Sequence, residues 1–282
     1  MKSWKRFILI GLAVLVALIV WGYLNIWRSP PHYLDETRCA PFEILPMARY
    51  HAHVDTHARP FVIQTERVLV YGSEHTRDPA DKQLQDLEER FEAFAPTVVL
   101  VEGRLGFLTP HVMNPVQRFG EMGKAAALAR RYGLPLYSWD PPKSLLLDQL
   151  IQEFTGEQLA LKEILTPYFS NLRFGRPASP EAFIEDYLDR AGWFGLEDSI
   201  RSVADIDRLW QRDFPELPDW RDTSDQWGLP GYLNTIGQRA NDVRNQHLMC
   251  CLSSLHDAGE RVLAVAGSSH AVCINDALNR RN

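Results

Sequence analysis

Val262-Leu263-Ala264-Val265-Ala266-Gly267-Ser268-Ser269-His270 decides how this chain is read. An unbroken apolar run of this length fits a strand buried on both faces, as in a parallel sheet. The glycine marks a place where the chain can turn sharply, and a histidine follows three residues later. The same grammar occurs upstream, where Val68-Leu69-Val70-Tyr71 leads into Gly72-Ser73-Glu74-His75. Each histidine therefore falls near the carboxyl edge of a strand, where open α/β sheets place their ligands.

Working outward, Arg67 to Tyr71 reads as a strand, and Asp78-Pro79 opens a helix to about Phe94. Its Leu84, Leu87, Phe91 and Phe94 recur at helical spacing. Thr97 to Val101 is a second strand, Pro115 to Tyr132 a helix and Leu134 to Trp139 a third strand. Tyr232 to His256 is a long helix, Arg261 to Ala266 the last strand and Ala271 to Asn279 the closing helix. Strands alternating with helices in this way indicate βαβ units. The expected class is α/β, with a central, mostly parallel sheet flanked by helices. A helical insertion spans about 142–230. Its aromatics, among them Tyr168, Phe169, Trp193, Trp210 and Trp220, suit either a lid or ordinary helix packing. Phe42 to Thr65 holds short apolar runs that suit an early hairpin.

Ile8 to Trp27 is almost wholly apolar, and roughly 20 such residues cross a bilayer core. Lys2, Lys5 and Arg6 precede it, which favours a cytoplasmic N-terminus and an exported remainder. The exit through Trp21, Tyr23 and Trp27 has no small-residue cleavage site, so a signal anchor is preferred to a cleaved signal peptide. The expected organisation is a cytoplasmic tip and transmembrane helix over 1–28, a tether over 29–41 and one domain over 42–282. That places the domain outside the cytoplasm, in the periplasm of a Gram-negative cell. The chain carries a net charge of −6, or −10 once Lys2, Lys5, Arg6 and Arg28 are set aside. An acidic domain argues against nucleic acid as a partner. The four cysteines fit no zinc spacing; Cys39 can pair with one of the others in an oxidising compartment, while Cys250, Cys251 and Cys273 suit buried positions.

Acids also follow the strands. Val101 leads into Glu102-Gly103-Arg104, and Trp139 into Asp140. Glu102 is open to three roles: general base, metal ligand, or partner fixing a histidine tautomer. Arg104 is either its ion-pair partner or an oxyanion stabiliser. Asp140 falls at the same edge, though Asp before Pro is also ordinary turn chemistry. Arg244 and Asn245 stand ahead of apolar Leu248 and Met249 on the long helix and can orient a site through hydrogen bonds. Glu74 is a spare acid. His51, His53 and His57 have spacing that suits a metal but precede the sheet, and His111 and His256 read as surface residues.

The series Tyr71-Gly72-Ser73-Glu74-His75-Thr76, then Val98 to Arg104, then Arg244-Asn245, then Val265 to His270 resembles the TraB/PrgY/GumN group. That group includes the Tiki proteases and is related to the erythromycin esterases. The resemblance runs from about Arg67 to the C-terminus, with a poor match in the central helical region. It implies an α/β fold and a hydrolytic site of His75, Glu102, Arg104 and His270, supported by Arg244 and Asn245. Tiki-type relatives imply that His75, Glu102 and His270 hold a divalent metal ion (Mn, Co or Zn). The expected function is a membrane-anchored, metal-dependent, peptidase-like hydrolase acting on a peptide or small ester. The alternatives are a metal-free esterase-like hydrolase, a haem- or ligand-binding protein, and a scaffold whose site is degenerate.

Overall fold

The computed structural model of the chain describes residues 2–33, 39–50, 57–103, 105–108, 112–172, 175–223 and 229–281. In chain order the elements are α1 (Lys2–Asn25), α2 (Met47–Tyr50), β1 (Phe61–Gln64), β2 (Val68–Ser73), α3 (Lys82–Phe94), β3 (Val98–Val101), α4 (Pro115–Arg131) and β4 (Leu136–Ser138). Then follow α5 (Lys143–Leu150), α6 (Gly156–Asn171), α7 (Pro180–Glu185), α8 (Val203–Asp213), α9 (Gly231–Asp257), β5 (Val262–Gly267) and α10 (Ser268–Arg281). Two compact units result. The first comprises Met1–Leu45, Ala52–Pro141 and Asn245–Asn282; the second comprises Pro46–His51 and Pro142–Arg244.

The first unit is built on a five-stranded sheet of order β1-β2-β5-β3-β4. β1 runs antiparallel to β2, and every other pairing is parallel; among the described residues of 42–65 β1 is the only strand, so the hairpin expected within that stretch is formed instead with β2. Strand side chains alternate between two cores, as a pleated backbone dictates. Val68, Val70, Val98, Leu100, Val262 and Ala264 pack against α10 and the part of α9 from Asn245 onward. Leu69, Tyr71, Val99, Val101, Leu263 and Val265 pack against α3 and α4. The handedness of parallel crossovers accounts for this split. The chain advances from β2 to β3 to β4 with its helices on one face. It then reverses direction to place β5, and the connecting helix falls on the other face.

The helix ends carry their own stop and start chemistry. Asp81 caps α3 by accepting from the Gln83 amide, and Asn114 caps α4 by accepting from Val116 and Gln117, with Pro115 at the first helical position. Thr155 and Gln158 form a capping box on α6.

Pro31 to Tyr33, expected in a tether, are stitched to the sheet: Tyr33 N donates to Ser138 O and Ser138 N to Pro31 O, both at 2.8 Å. Farther on, Cys39 is bonded to Cys250, while Cys251 and Cys273 are buried thiols. The described apolar side chains of α1 from Ile8 to Trp21 lie open to solvent. Among the described residues no helix is long and apolar enough to cross a membrane; the side chains of Leu9 and Ile19, within α1, lie outside that description.

The second unit is helical, with its own core. Tyr168, Phe169, Trp210 and Trp220 are buried in it, and the Tyr168 and Trp220 rings meet edge to face at 5.2 Å. Those aromatics are packing residues, whereas Trp193 is exposed. Glu163 is buried and pairs with Lys143 at 2.7 Å and Lys162 at 3.3 Å. Burial pushes its carboxyl up, but the two ammonium groups outweigh burial and hold it below the usual range. A depressed carboxylate stabilises the fold above its unfolded pKa, and that contribution is lost as pH falls through the folded value. Glu163→Gln is expected to cost about 2 kcal/mol at neutral pH and to flatten the acid limb of a urea-stability profile.

Candidate active site

With β5 between β2 and β3, the carboxyl ends of four adjacent parallel strands carry His75, His270, Glu102 and Asp140 in that spatial order. Ser73 lies opposite Gly267 in the β2–β5 register. From β2 the chain goes to α3 on one face of the sheet; from β5 it goes directly into α10 on the other. Such a divergence between neighbouring strands opens a crevice, and the two Gly-x-x-His motifs flank it.

The first glycine does not turn the chain, as the sequence suggested. Gly72 lies inside β2, where a Cβ would stand 2.6 Å from both Ala271 Cβ and Phe61 O. It permits close packing. Gly267 ends β5, and a Cβ there would stand 3.5 Å from His75 Nε2, 3.7 Å from Glu102 Oε2 and 3.7 Å from His270 Cδ2. The bare glycine thus leaves a small space that all three side chains border.

His75 is 64% exposed at its side chain, yet its ring is fixed. Nδ1 lies 2.7 Å from Oε1 of Glu121, whose side chain is only 3% exposed. Ser73 Oγ lies 3.0 Å from the same oxygen and 3.1 Å from Ala266 O, and Thr76 N donates to Glu121 Oε2 at 3.3 Å. An ionised carboxylate only accepts. The Nδ1 therefore carries the proton, and Nε2, on the Gly267 side, is the basic nitrogen.

Glu121 was not among the residues expected from sequence. Its signal was an acid in line with Ala125 and Leu128 on the buried face of α4, directly after a glycine. Gly120 breaks the helix with φ +62, and a Cβ there would lie 2.6 Å from Thr76 O. Left-handed backbone and this close approach both require glycine. Gly120→Ala is expected to destabilise the chain by about 3 kcal/mol, read as a lower urea midpoint at unchanged slope.

On the other side of the crevice, Gly267 N donates to Glu102 Oε2 at 2.9 Å, and His270 Nε2 lies 3.7 Å from Glu102 Oε1. His270 is buried in the first turn of α10. Its Nδ1 is 2.6 Å from Asn245 Oδ1, and its ring meets the Trp139 ring edge to face at 5.2 Å. The Trp139 indole donates to Val265 O at 2.9 Å, which locks that wall. Asn245 is fully buried, and its Nδ2 has no hydrogen-bond partner among the described residues. The amide is oriented here so that Oδ1 accepts from His270.

The remaining expected residues lie farther out. Asp140 Oδ2 is 3.7 Å from where a Cβ of Gly103 would stand, and its main-chain oxygen accepts from His32 Nδ1 at 2.7 Å. Arg244 belongs to the second unit, where it donates to Asn241 at 2.9 Å. Arg104, His51, His53 and His111 lie outside the described residues. His57 packs its ring against Phe61, and His256, expected at the surface, is half-buried beside Asp257. Glu74 pairs with Arg59 at 3.5 Å. His247, on α9, is a half-buried imidazole; its Nδ1 is 2.6 Å from Trp139 O, and desolvation pushes its pKa below the usual histidine range.

Among the described residues no group of three or more His, Cys, Asp and Glu side chains is placed to hold an ion. His75, Glu102 and His270 border one space, but His270 turns a ring carbon toward it and directs Nε2 at Glu102. Comparison with family models, curated proteins and solved structures finds no match.

Proposed function

We propose that the first unit is a hydrolase in which His75 activates water. The carrying observation is the buried Glu121 carboxylate at 2.7 Å from His75 Nδ1. It is the same logic as a catalytic acid that fixes a histidine tautomer and stabilises the imidazolium formed in the reaction. His75 Nε2 removes a proton from water, and the hydroxide adds to the carbonyl of an ester or peptide. The tetrahedral intermediate collapses as the leaving oxygen or nitrogen takes a proton, yielding an acid and an alcohol or amine. The His75 imidazolium formed in the first step returns that proton to the leaving group, while His270, held between Asn245 and Glu102, lines the site. Arg104 retains the oxyanion role on sequence alone. The resemblance to the TraB/PrgY/GumN group and its esterase relatives supports the same chemistry. Because the donor set does not close around an ion, no step is routed through a metal.

The chain is held to a membrane by α1, with the catalytic unit outside the cytoplasm. The exposed apolar surface of α1, the Lys2, Lys5 and Arg6 flank, and the Cys39–Cys250 disulfide support this placement. A C-terminal reporter that is active only in the cytoplasm tests it, and activity there would reverse the orientation.

Hydrolysis is tested with the purified chain and its His75→Ala variant on p-nitrophenyl esters and fluorogenic peptides. Turnover by the parent and none by the variant is the expected result. Equal turnover by both overturns the mechanism. Tight ligand binding without turnover by the parent points to the ligand-binding alternative.

A further inference from the structure

We infer that the loop following Glu102 lies against the surface of the membrane in which α1 is anchored. The inference rests on the anchoring proposed above, not on the hydrolytic chemistry. Two residues after α1 ends, Trp27 pairs with Leu108 through both backbone groups: Trp27 N to Leu108 O at 2.9 Å, and Leu108 N to Trp27 O at 3.3 Å. Trp27 is buried, with the Arg130 guanidinium 5.0 Å above its ring. Two residues of extended chain reach about 7 Å. Wherever the membrane end of α1 sits, this loop sits beside it.

The loop's surface fits that neighbour. Val112 is 83% exposed and Phe107 59%, the highest values among the large apolar side chains described outside α1. Buried Leu105 and Leu108 hold the 105–108 segment down on either side of exposed Phe107. Exposed Arg28 follows Trp27 directly, and exposed Arg118 stands 6.0 Å from the Phe119 ring that meets Gly106. Apolar tips within a cationic rim, on an otherwise acidic chain, match the headgroup region of a bilayer with anionic lipid. Glu102 is six residues from Leu108, a reach of no more than about 20 Å. The candidate site therefore lies within that distance of the loop.

The test uses the full chain in vesicles of phosphatidylcholine and phosphatidylglycerol. Phe107→Cys and Val112→Cys are each labelled with nitrobenzoxadiazole, a fluorophore sensitive to polarity. Ala258→Cys, at the amino edge of the sheet, is the reference position. The parent chain is the labelling blank, because its two free thiols are buried. Emission at 107 and 112 is expected to be blue-shifted and quenched by doxyl-labelled lipid, and at 258 to be neither. Water-like, unquenched emission at 107 and 112 in a chain that resists carbonate extraction overturns the loop's placement and leaves the anchor standing. Release of the chain by carbonate overturns the anchor, and the inference with it.

Discussion

Glutamine in place of Glu121 is expected to lower turnover about 10³–10⁴-fold, the scale seen when a catalytic acid that fixes a histidine tautomer is neutralised. The side chains are nearly isosteric, so the effect lies in hydrogen-bond polarity. Glu121 now accepts from His75 Nδ1, from Thr76 N and from the Ser73 hydroxyl. A glutamine must turn its NH₂ to one of these groups. The backbone amide of Thr76 can only donate, so the glutamine oxygen stays with it and the NH₂ faces His75. Nδ1 then becomes the acceptor, the proton moves to Nε2, and the nitrogen facing Gly267 is no longer a base. Nitrogen chemical shifts of the His75 ring report this tautomer change directly. Unchanged shifts with turnover within threefold of the parent would remove Glu121 from the mechanism. Glu121→Asp, which keeps the charge, is expected to restore the original tautomer.

Loss of the Cys39–Cys250 bond is expected to cost about 3–5 kcal/mol. The two cysteines are 211 residues apart in sequence, and chain-entropy arguments put the contribution of so large a closed loop at about 5 kcal/mol as an upper bound. Packing argues for a value near that bound. The segment after Cys39 docks Phe42 and Ile44 on the sheet's α9–α10 face, and Phe42 exchanges two hydrogen bonds with the Gln246 side chain at 2.9 and 2.7 Å. The bond therefore joins places already held in contact. Urea unfolding of the Cys39→Ser/Cys250→Ser double variant, beside the parent with and without reductant, measures the effect. A loss under about 1 kcal/mol would mean that the unfolded chain is already compact enough to keep these segments together.

Much of the sheet was legible because its strands are buried on both faces. Val68 to Tyr71, Val98 to Val101 and Val262 to Ala266 have no polar interruption, and only a parallel sheet offers such a run two apolar surroundings. Strand order was not legible. Nothing local in Val262 to Ala266 says that it inserts between the two earlier strands; that follows from which helix faces are apolar and from the crossover rule. Both motif histidines and Glu102 border the Gly267 space, since strand ends position them. Glu121 escaped because the surrounding helix pattern, Met122, Ala125 and Leu128, disguises one acid as an error in an apolar face. Gly72 was misread as a turn because a glycine needed for close approach looks the same in sequence as one needed for a bend.

The central position of β5 has a consequence for how the protein comes into being. Its strand is the last made, yet it forms the middle of the sheet and supplies Gly267 and His270. Until those residues leave the ribosome, β2 and β3 have no shared neighbour, and both their facing edges are open to other chains. Sheet closure is thus a late event of high sequence separation, slow by topology. The nascent chain passes through synthesis with one half of its chemistry present and no crevice to hold it.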